Sequence, residues 1–389
     1  MSSLTSLSVS VEERLADPVE RARSLGGLIR SEAATTQSLG QVSPKVIDAL
    51  DEAQLFWAAV PTELGGEDIS MRKRFELFEE VASHDASTGW SYMVLTGFNG
   101  YAGVGLGDDA VQELYVDRDP RALAAGFAGP SGIAVPVDGG YRVTGKYRFG
   151  SGVLHATHVA AGAFVEGSNN TKIVTAFVPR EQATVTSGWD VFGLKGSGSV
   201  DFEVEDVFVP EQYTFSPVDY VSLRGGDGGR LDFGSTAIVY HSAVVCGLAK
   251  HALQEIVKIA DAGRQVPMHE KIIDQPRFLH DFAWQESRLA AARALMLEII
   301  ETARVKIESG AGMDAFDRAR FYQTGNLIHK IVREVTEFAY SWAGTAPIRD
   351  GSELGRALLD IHVAQQHAHI DHHKVVEAAP AILDHYRVG

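Results

Sequence analysis

Residues 141–158 read YRVTGKYRFGSGVLHATH, and the organisation of the chain on either side follows from this stretch. Tyr141, Val143 and Gly145 alternate with polar residues at period two, the pattern of a half-buried β-strand. Gly139 and Gly140 ahead of them supply a tight hairpin turn. The strand runs into Gly150, Ser151 and Gly152. There the flanking glycines let the backbone pass close to a flat ligand while the serine hydroxyl stays available for hydrogen bonding. Taken alone, the same triplet also ends an ordinary hairpin. His155 and His158 follow directly.

Outward from this stretch the alternating pattern extends over about 100 residues. Strands are expected at 122–127, 133–137, 141–149, 158–165, 172–178 and 200–209, with GSNNT (167–171) as a turn. Pro210 closes the region. Residues 215–233, including RGGDGGRLD, are too polar to bury and read as a mobile connection over an active site. Before residue 121 the sequence reads as helices. One lies within 11–31, and one starts with Ser43 as N-cap and Pro44 in the first turn and runs to Trp57. Others span 71–83, start near Asp85 through GWSYMVLTGF, and start at Asp108 or Asp109. After residue 235 four long patterns with wide apolar faces span 236–262, 275–309, 314–342 and 352–385, the signature of a bundle. The expected organisation is α+β in three parts: an N-terminal helical domain (1–120), a central β-barrel or sandwich domain (121–234) and a C-terminal four-helix bundle (235–389).

Length, 45% hydrophobic residues and 22% charged residues fit a globular chain with a large core. A net charge of −16 repels phosphate backbones and anionic lipid, so neither nucleic acid nor membrane is expected as a partner. The single cysteine, Cys246, sits in the apolar run AVVCGLA and reads as a small buried hydrophobe. It excludes an internal disulfide and a cysteine metal site. No apolar window is long enough for a membrane span and MSSLTSLSVSVEERL lacks a signal-peptide pattern, so the cytoplasm is the expected location.

Six segments in this order carry a resemblance: VPTELGG (60–66), ASTGW (86–90), VDGGYRVTGKYRFGSGVLHA (137–156), FGLKGSGSVDFEVEDVFVP (192–210), GRQVP with DQP (263–276), and LGRALLDIHVAQQH (354–367). Together they resemble the acyl-CoA dehydrogenase fold, and within it the oxygenase components of two-component flavin-dependent monooxygenases that hydroxylate phenols, secosteroids, indoles and thioethers. The dehydrogenase branch carries a glutamate base near an IYEGT motif. Here that position holds HVAQQH and AHIDHH, which points to the monooxygenase branch. Two departures from the usual pattern are Leu359, where relatives carry arginine before the aspartate matching Asp360, and Phe98, near a position where some relatives place a histidine.

The resemblance implies reduced FAD or FMN as cofactor, delivered by a separate NAD(P)H-dependent flavin reductase. It implies O2 and a small aromatic substrate as reactants, a C4a-hydroperoxyflavin as the oxygen donor, and a homotetramer as the usual assembly. Nitrogen oxidation of an amino sugar and acyl-CoA dehydrogenation are the competing activities within the fold. Cofactor contacts are expected from Trp90, Gly150, Ser151, Gly152, Gly196, Ser197 and Arg264, with Ser151 holding the flavin N5 proton. His367 is the expected substrate base, with a pKa near neutrality. On a continuous helix turning about 100° per residue, Asp371 lies four residues on and would orient it. Phe98, Asn99 and His362 are expected in the substrate pocket; for His362 and His367 a solvent-facing position on the bundle is the alternative. Trp57, Tyr101, Phe149 and Trp342 are further aromatic candidates for that pocket or for the core.

No metal is expected, because the pair His369 and His373 lacks a third ligand in a local pattern. GVGLG (103–107) looks like a dinucleotide loop, but helix-like sequence precedes it and Asp108 and Asp109 follow where a phosphate would bind. NAD(P)H is therefore not expected to dock on this chain.

Overall fold

A computed structural model describes residues 16–219, 221–226, 229–264 and 270–387. Helices α1 (Pro18–Ser24), α2 (Gly26–Leu39), α3 (Pro44–Glu52), α4 (Met71–Ala82), α5 (Ala86–Gly105) and α6 (Asp108–Val111) form the N-terminal part. Side-chain acceptors start three of them: Asp17 takes Val19 N–H (2.9 Å), Ser70 takes Lys73 N–H (3.3 Å) and Asp85 takes Thr88 N–H (2.8 Å). Ser43 and Pro44 do open α3, but the Ser43 hydroxyl donates to Glu32 (2.7 Å) instead of capping. α3 also stops at Glu52 rather than Trp57, because Gln54 takes a left-handed conformation (φ 58°) that turns the chain into the short 3-10 turn Leu55–Trp57. No glycine marks that turn in the sequence.

Helix α5 is buried along almost its whole length. A Cβ at Gly89 would lie 2.5 Å from the Ala82 Cβ, and one at Gly100 would lie 3.0 Å from Ala59, so these glycines let neighbouring segments approach its backbone. Gly103 and Gly105 fall in its last turn. The GVGLG segment is thus helix end and connection, with no strand before it.

The central part is one seven-stranded sheet, ordered β5-β6-β2-β1-β3-β4-β7, built from β1 (Ala124–Val137), β2 (Gly140–Gly150), β3 (His158–Val165), β4 (Ile173–Pro179), β5 (Ala183–Ser187), β6 (Val200–Pro210) and β7 (Thr214–Phe215). β1 and β3 are parallel and the other pairs antiparallel. The two strands expected at 122–127 and 133–137 are one strand, interrupted by a register shift between Phe127 and Gly132. β5 and β7 were not anticipated; at five and two residues they are too short for period-two alternation to register. Phe202 on β6 is fully buried and stacks on Tyr147 of β2 with centroids 4.8 Å apart. Phe202→Ala is expected to cost about 3–5 kcal/mol, read as a lower denaturant midpoint.

The C-terminal part comprises α7 (Phe233–Asp261), α8 (Pro276–Glu308), α9 (Ala315–Ala343), α10 (Glu353–Ala364) and α11 (His372–Arg387). The single helix expected over 352–385 is therefore two. The chain leaves α10 at Gln365, His367 adopts extended backbone (φ −68°, ψ 136°), a 3-10 turn covers Ala368–Ile370, and α11 starts afresh. Side-chain acceptors account for the break: His367 Nδ1 takes His369 N–H (3.3 Å) and Asp371 takes His373 N–H (2.8 Å). Cys246 is buried, as expected.

The connection expected to be mobile is pinned in its described part. Arg224 donates to the carbonyls of Gly103 (2.9 Å) and Leu106 (2.7 Å), and Gly226 N–H to Asp68 (2.6 Å). These described residues of the segment are held on the end of α5 and on Asp68. No described helix is long and apolar enough to cross a membrane.

Candidate active site

The turn after β2 holds Ser151 between two backbone distortions. Phe149 is left-handed (φ 62°), and so is Gly152 (φ 76°), where a Cβ would lie 3.1 Å from Leu95 of α5. Such distortions persist only where the surroundings enforce them, and they concentrate at functional sites. Ser151 Oγ shares a hydrogen bond with Ser199 Oγ (2.6 Å), and Ser199 Oγ with Ser197 Oγ (2.8 Å). All three serines are buried. The turn Leu194–Gly198 carries Ser197 and leads directly to Ser199, and Ser91 of α5 fastens that turn by donating to the Ser197 carbonyl (3.0 Å).

Trp90 links this hydroxyl chain to a set of imidazoles. Its Nε1–H donates to Ser151 Oγ (3.1 Å), while its ring packs on His241 (4.8 Å between centroids) and His367 (6.0 Å). His241 and His367 are 3.9 Å apart, and His369 lies 5.4 Å beyond His367. Burial, reinforced by the neighbouring His369 and His329, pushes His367 down to about 3. Burial and His367 push His241 well below the ordinary range. Both rings are neutral at pH 7. The expectation of a His367 pKa near neutrality is thus wrong, because three imidazoles crowd a desolvated space. Nδ1 of His241 and Nδ1 of His369 are buried without a hydrogen-bond partner.

The helix break overturns the pairing of His367 with Asp371. Asp371 is exposed, and its carboxylate takes the His373 N–H and faces His372 Nδ1 (3.3 Å). His362 precedes the break on α10, half-buried, with no ring contact to the cluster among the described residues. Asn99 is fully buried but spent on structure: its carboxamide takes the Ala124 N–H (2.9 Å) and donates to the Phe56 carbonyl (3.3 Å), fastening α5 to β1. It is therefore not free to bind substrate. Phe98 is buried against Tyr101 (6.2 Å) on the same helix. Trp57 and Trp342 belong to other packing clusters, Trp57 with Tyr115 and Arg121 and Trp342 with Phe278.

Gly150 is needed for close packing, since a Cβ would come within 2.9 Å of Phe202 and Val153. A Cβ at Gly196 would collide with Thr36 of α2. Arg264 is remote in sequence from the serines; its guanidinium lies over Gly344 at the end of α9, and its N–H and carbonyl pair with Ile259 and Ile272. The rest of the GRQVP segment, 265–267, lies outside the described residues. His158 bonds Thr157 through Nδ1 (3.0 Å), whereas His155 Nε2 is buried and unpartnered, and burial lowers both to about 4. His241 and Ser199 were not anticipated. His241 sits in IVYHSAVVCGLA, where the only signal is an imidazole on an otherwise apolar helix.

Known proteins match this arrangement over most of its length. The family model "Acyl-CoA dehydrogenase, N-terminal domain" covers residues 27–118, and "Acyl-CoA dehydrogenase, C-terminal domain" covers 239–372. The indole-3-acetate monooxygenase of Pseudomonas putida is 30% identical over 336 residues, 84% of this chain and 83% of that protein. The chain belongs to the flavin-dependent monooxygenases of this fold. It is an oxygenase component, of the kind served by a separate flavin reductase. Among solved structures, 3-HSA hydroxylase from Rhodococcus sp. RHA1 superposes with a TM-score of 0.87 at 22% identity, over 96% of this chain and 97% of that one. XiaF from Streptomyces sp., in complex with FADH2 and glycerol, gives 0.86 at 21% identity, over 94% and 95%. The monooxygenase's cofactor is a reduced flavin. The described residues fit one: a buried hydroxyl chain can pair with a ring N–H, and buried imidazole nitrogens that have no partner among the described residues can pair with polar atoms of a ligand.

Proposed function

We propose that this oxygenase hydroxylates a small aromatic substrate bearing a phenolic O–H or heteroaromatic N–H, bound against His367 and His241. The observation carrying this reading is Trp90, which by one hydrogen bond and two ring contacts joins the Ser151 hydroxyl chain to the imidazole pair. Reduced flavin, when bound, supplies the two electrons with which O2 gives one oxygen atom to the substrate and one to water. Ser151 holds a proton at a fixed point, because its hydroxyl is buried between Ser199 and the Trp90 N–H and no bulk water competes. His367, neutral and weakly basic, does not strip the substrate of its proton beforehand. It accepts a hydrogen bond that strengthens as the ring donates electron density, the differential interaction that lowers a barrier. Neither Asp nor Glu touches the imidazole set among the described residues, which disfavours the glutamate-based dehydrogenase activity.

Incubation with photochemically reduced FAD or FMN, 18O2 and a panel of phenols and indole acids tests this. One 18O atom per hydroxylated aromatic product is expected. Reduction of bound flavin by acyl-CoA esters, with no oxygen incorporation, would replace this reading by the dehydrogenase one. The exposed apolar residues Leu279 and Trp284 on α8, with Val376, Leu383 and Tyr386 on α11, support a homotetramer in which these helices meet their copies.

A further inference from the structure

The serine chain is seated from a distance. Leu194 begins the turn that carries Ser197 and leads to Ser199, and it does so in a left-handed conformation (φ 51°, ψ 33°) that a branched residue holds only under constraint. Three contacts constrain it. Its N–H donates to Asp360 Oδ1 of α10 (2.6 Å), its carbonyl accepts from Trp189 Nε1 (2.8 Å), and the adjacent Gly193 lies so close to the Leu359 carbonyl that a Cβ there would collide with it. Ser197 N–H in turn donates to the Leu194 carbonyl (3.0 Å). Asp360 is buried four residues before the end of α10, the helix that leads directly to His367.

We propose that Asp360 is a positioning residue: by holding the Leu194 N–H it sets the Ser197–Ser199–Ser151 chain at a fixed place relative to the His367 segment. This rests on the proposed roles of those residues. Asp360 shares its surroundings with His84 and Asp85 from the α4–α5 junction, His251 from α7, and Glu353 and Arg356 from α10. Burial, with the like charge of Asp85, raises it to about 7, while the Leu194 N–H and Arg356 act in the opposite direction. A carboxylate accepts the Leu194 N–H more strongly than a carboxylic acid does. The seat therefore tightens as pH rises through about 7 and loosens below it.

The turn can be read without flavin, because the Trp189 indole N–H is bonded to the same Leu194. In flavin-free protein labelled with 5-fluorotryptophan, the Trp189 19F resonance, assigned through Trp189→Phe, is expected to titrate with a midpoint near 7. Asp360→Asn should abolish that titration. With flavin and substrate, the fraction of reduced flavin lost as hydrogen peroxide should rise about tenfold in Asp360→Ala, and less in Asp360→Asn, which keeps a neutral acceptor. Gly193→Ala, which pushes the turn off α10 without removing an ionisable group, should raise the leak equally at every pH. A Trp189 resonance and a peroxide fraction unchanged in Asp360→Asn and Asp360→Ala, with only the melting temperature lowered, would overturn the assignment. If Ser151→Ala leaks peroxide while the Asp360 variants do not, Asp360 alone loses its role; if Ser151→Ala does not leak, the proposed role of the serine chain fails instead.

Discussion

Ser151→Ala is expected to divert most of the reduced flavin to hydrogen peroxide, raising the uncoupled fraction at least about tenfold. The side chain removed is one oxygen atom, yet two buried groups lose their partner. Trp90 Nε1–H donates to Ser151 Oγ at 3.1 Å, and Ser199 Oγ is 2.6 Å away. Restoring either bond would require water where the structure packs Leu95 and Ala125 within 3.1–3.4 Å of a Cβ at Gly152. An unpaired buried donor costs about 1–3 kcal/mol, so a modest fall in stability should accompany the change. The more specific consequence is chemical: without the hydroxyl, nothing in the chain Ser197–Ser199–Ser151 presents a proton to the space beside Trp90. Peroxide per flavin oxidised, measured with and without substrate, reads this directly. Ser199→Ala should move the ratio the same way by less, since Ser151 would keep its bond from Trp90. Coupling unaltered in Ser151→Ala would remove the serine from the mechanism.

What the sequence disclosed and what it hid divide along a physical line. β2 and β6 are legible because one face is buried and period-two alternation follows; β3 at His158–Val165, buried on both faces, is legible instead as a short apolar run and falls on its expected bounds. Ser151 is legible because glycines on both sides mark a backbone that needs unusual torsions, and Gly152 does adopt one. The helix start near Asp85 is legible, and there the Asp85 side chain takes the Thr88 N–H, capping being local chemistry. Long-range partners are not. Nothing in IVYHSAVVCGLA indicates that His241 will face His367 across 126 positions of sequence, and Leu194 meets Asp360 across 166. The break between α10 and α11 is hidden for a different reason. QQHAHIDHH contains neither proline nor glycine, and the stop is made by His367 and Asp371 turning their side chains onto backbone N–H groups two residues on. That competition between side-chain and helical acceptors is weak in any one residue and decisive only in place. Asn99, expected in the substrate pocket, belongs with the long-range partners: the Ala124 N–H of β1 and the Phe56 carbonyl of the Leu55–Trp57 turn use both halves of its carboxamide.

His367→Asn should slow hydroxylation by roughly 10²-fold or more while leaving oxidation of reduced flavin by O2 largely intact, so product yield falls and peroxide rises. Asparagine keeps a hydrogen-bonding group but removes the ring that stands 3.9 Å from His241 and 6.0 Å from Trp90. The pH dependence separates this role from that of an ordinary base. Burial holds His367 at about 3 and His241 well below its ordinary 6.5, so the pair stays unprotonated across pH 5.5–8 and imposes no step on the hydroxylation rate there. A catalytic histidine titrating near 6.5 would impose one, and its appearance in the rate profile of Asp360→Asn, where the pH dependence of the serine seat is removed, would refute the neutral-acceptor role. Stability supplies the converse sign. With the folded pKa below the unfolded value of 6.5, the unfolded chain binds more protons between about 3 and 6.5, so this contribution to stability is intact above pH 6.5 and is lost progressively as pH falls below it. His367→Asn removes one such group. The difference in urea midpoint between pH 7.5 and pH 5 should therefore be smaller in the variant than in the parent, even though the variant is the poorer enzyme at both.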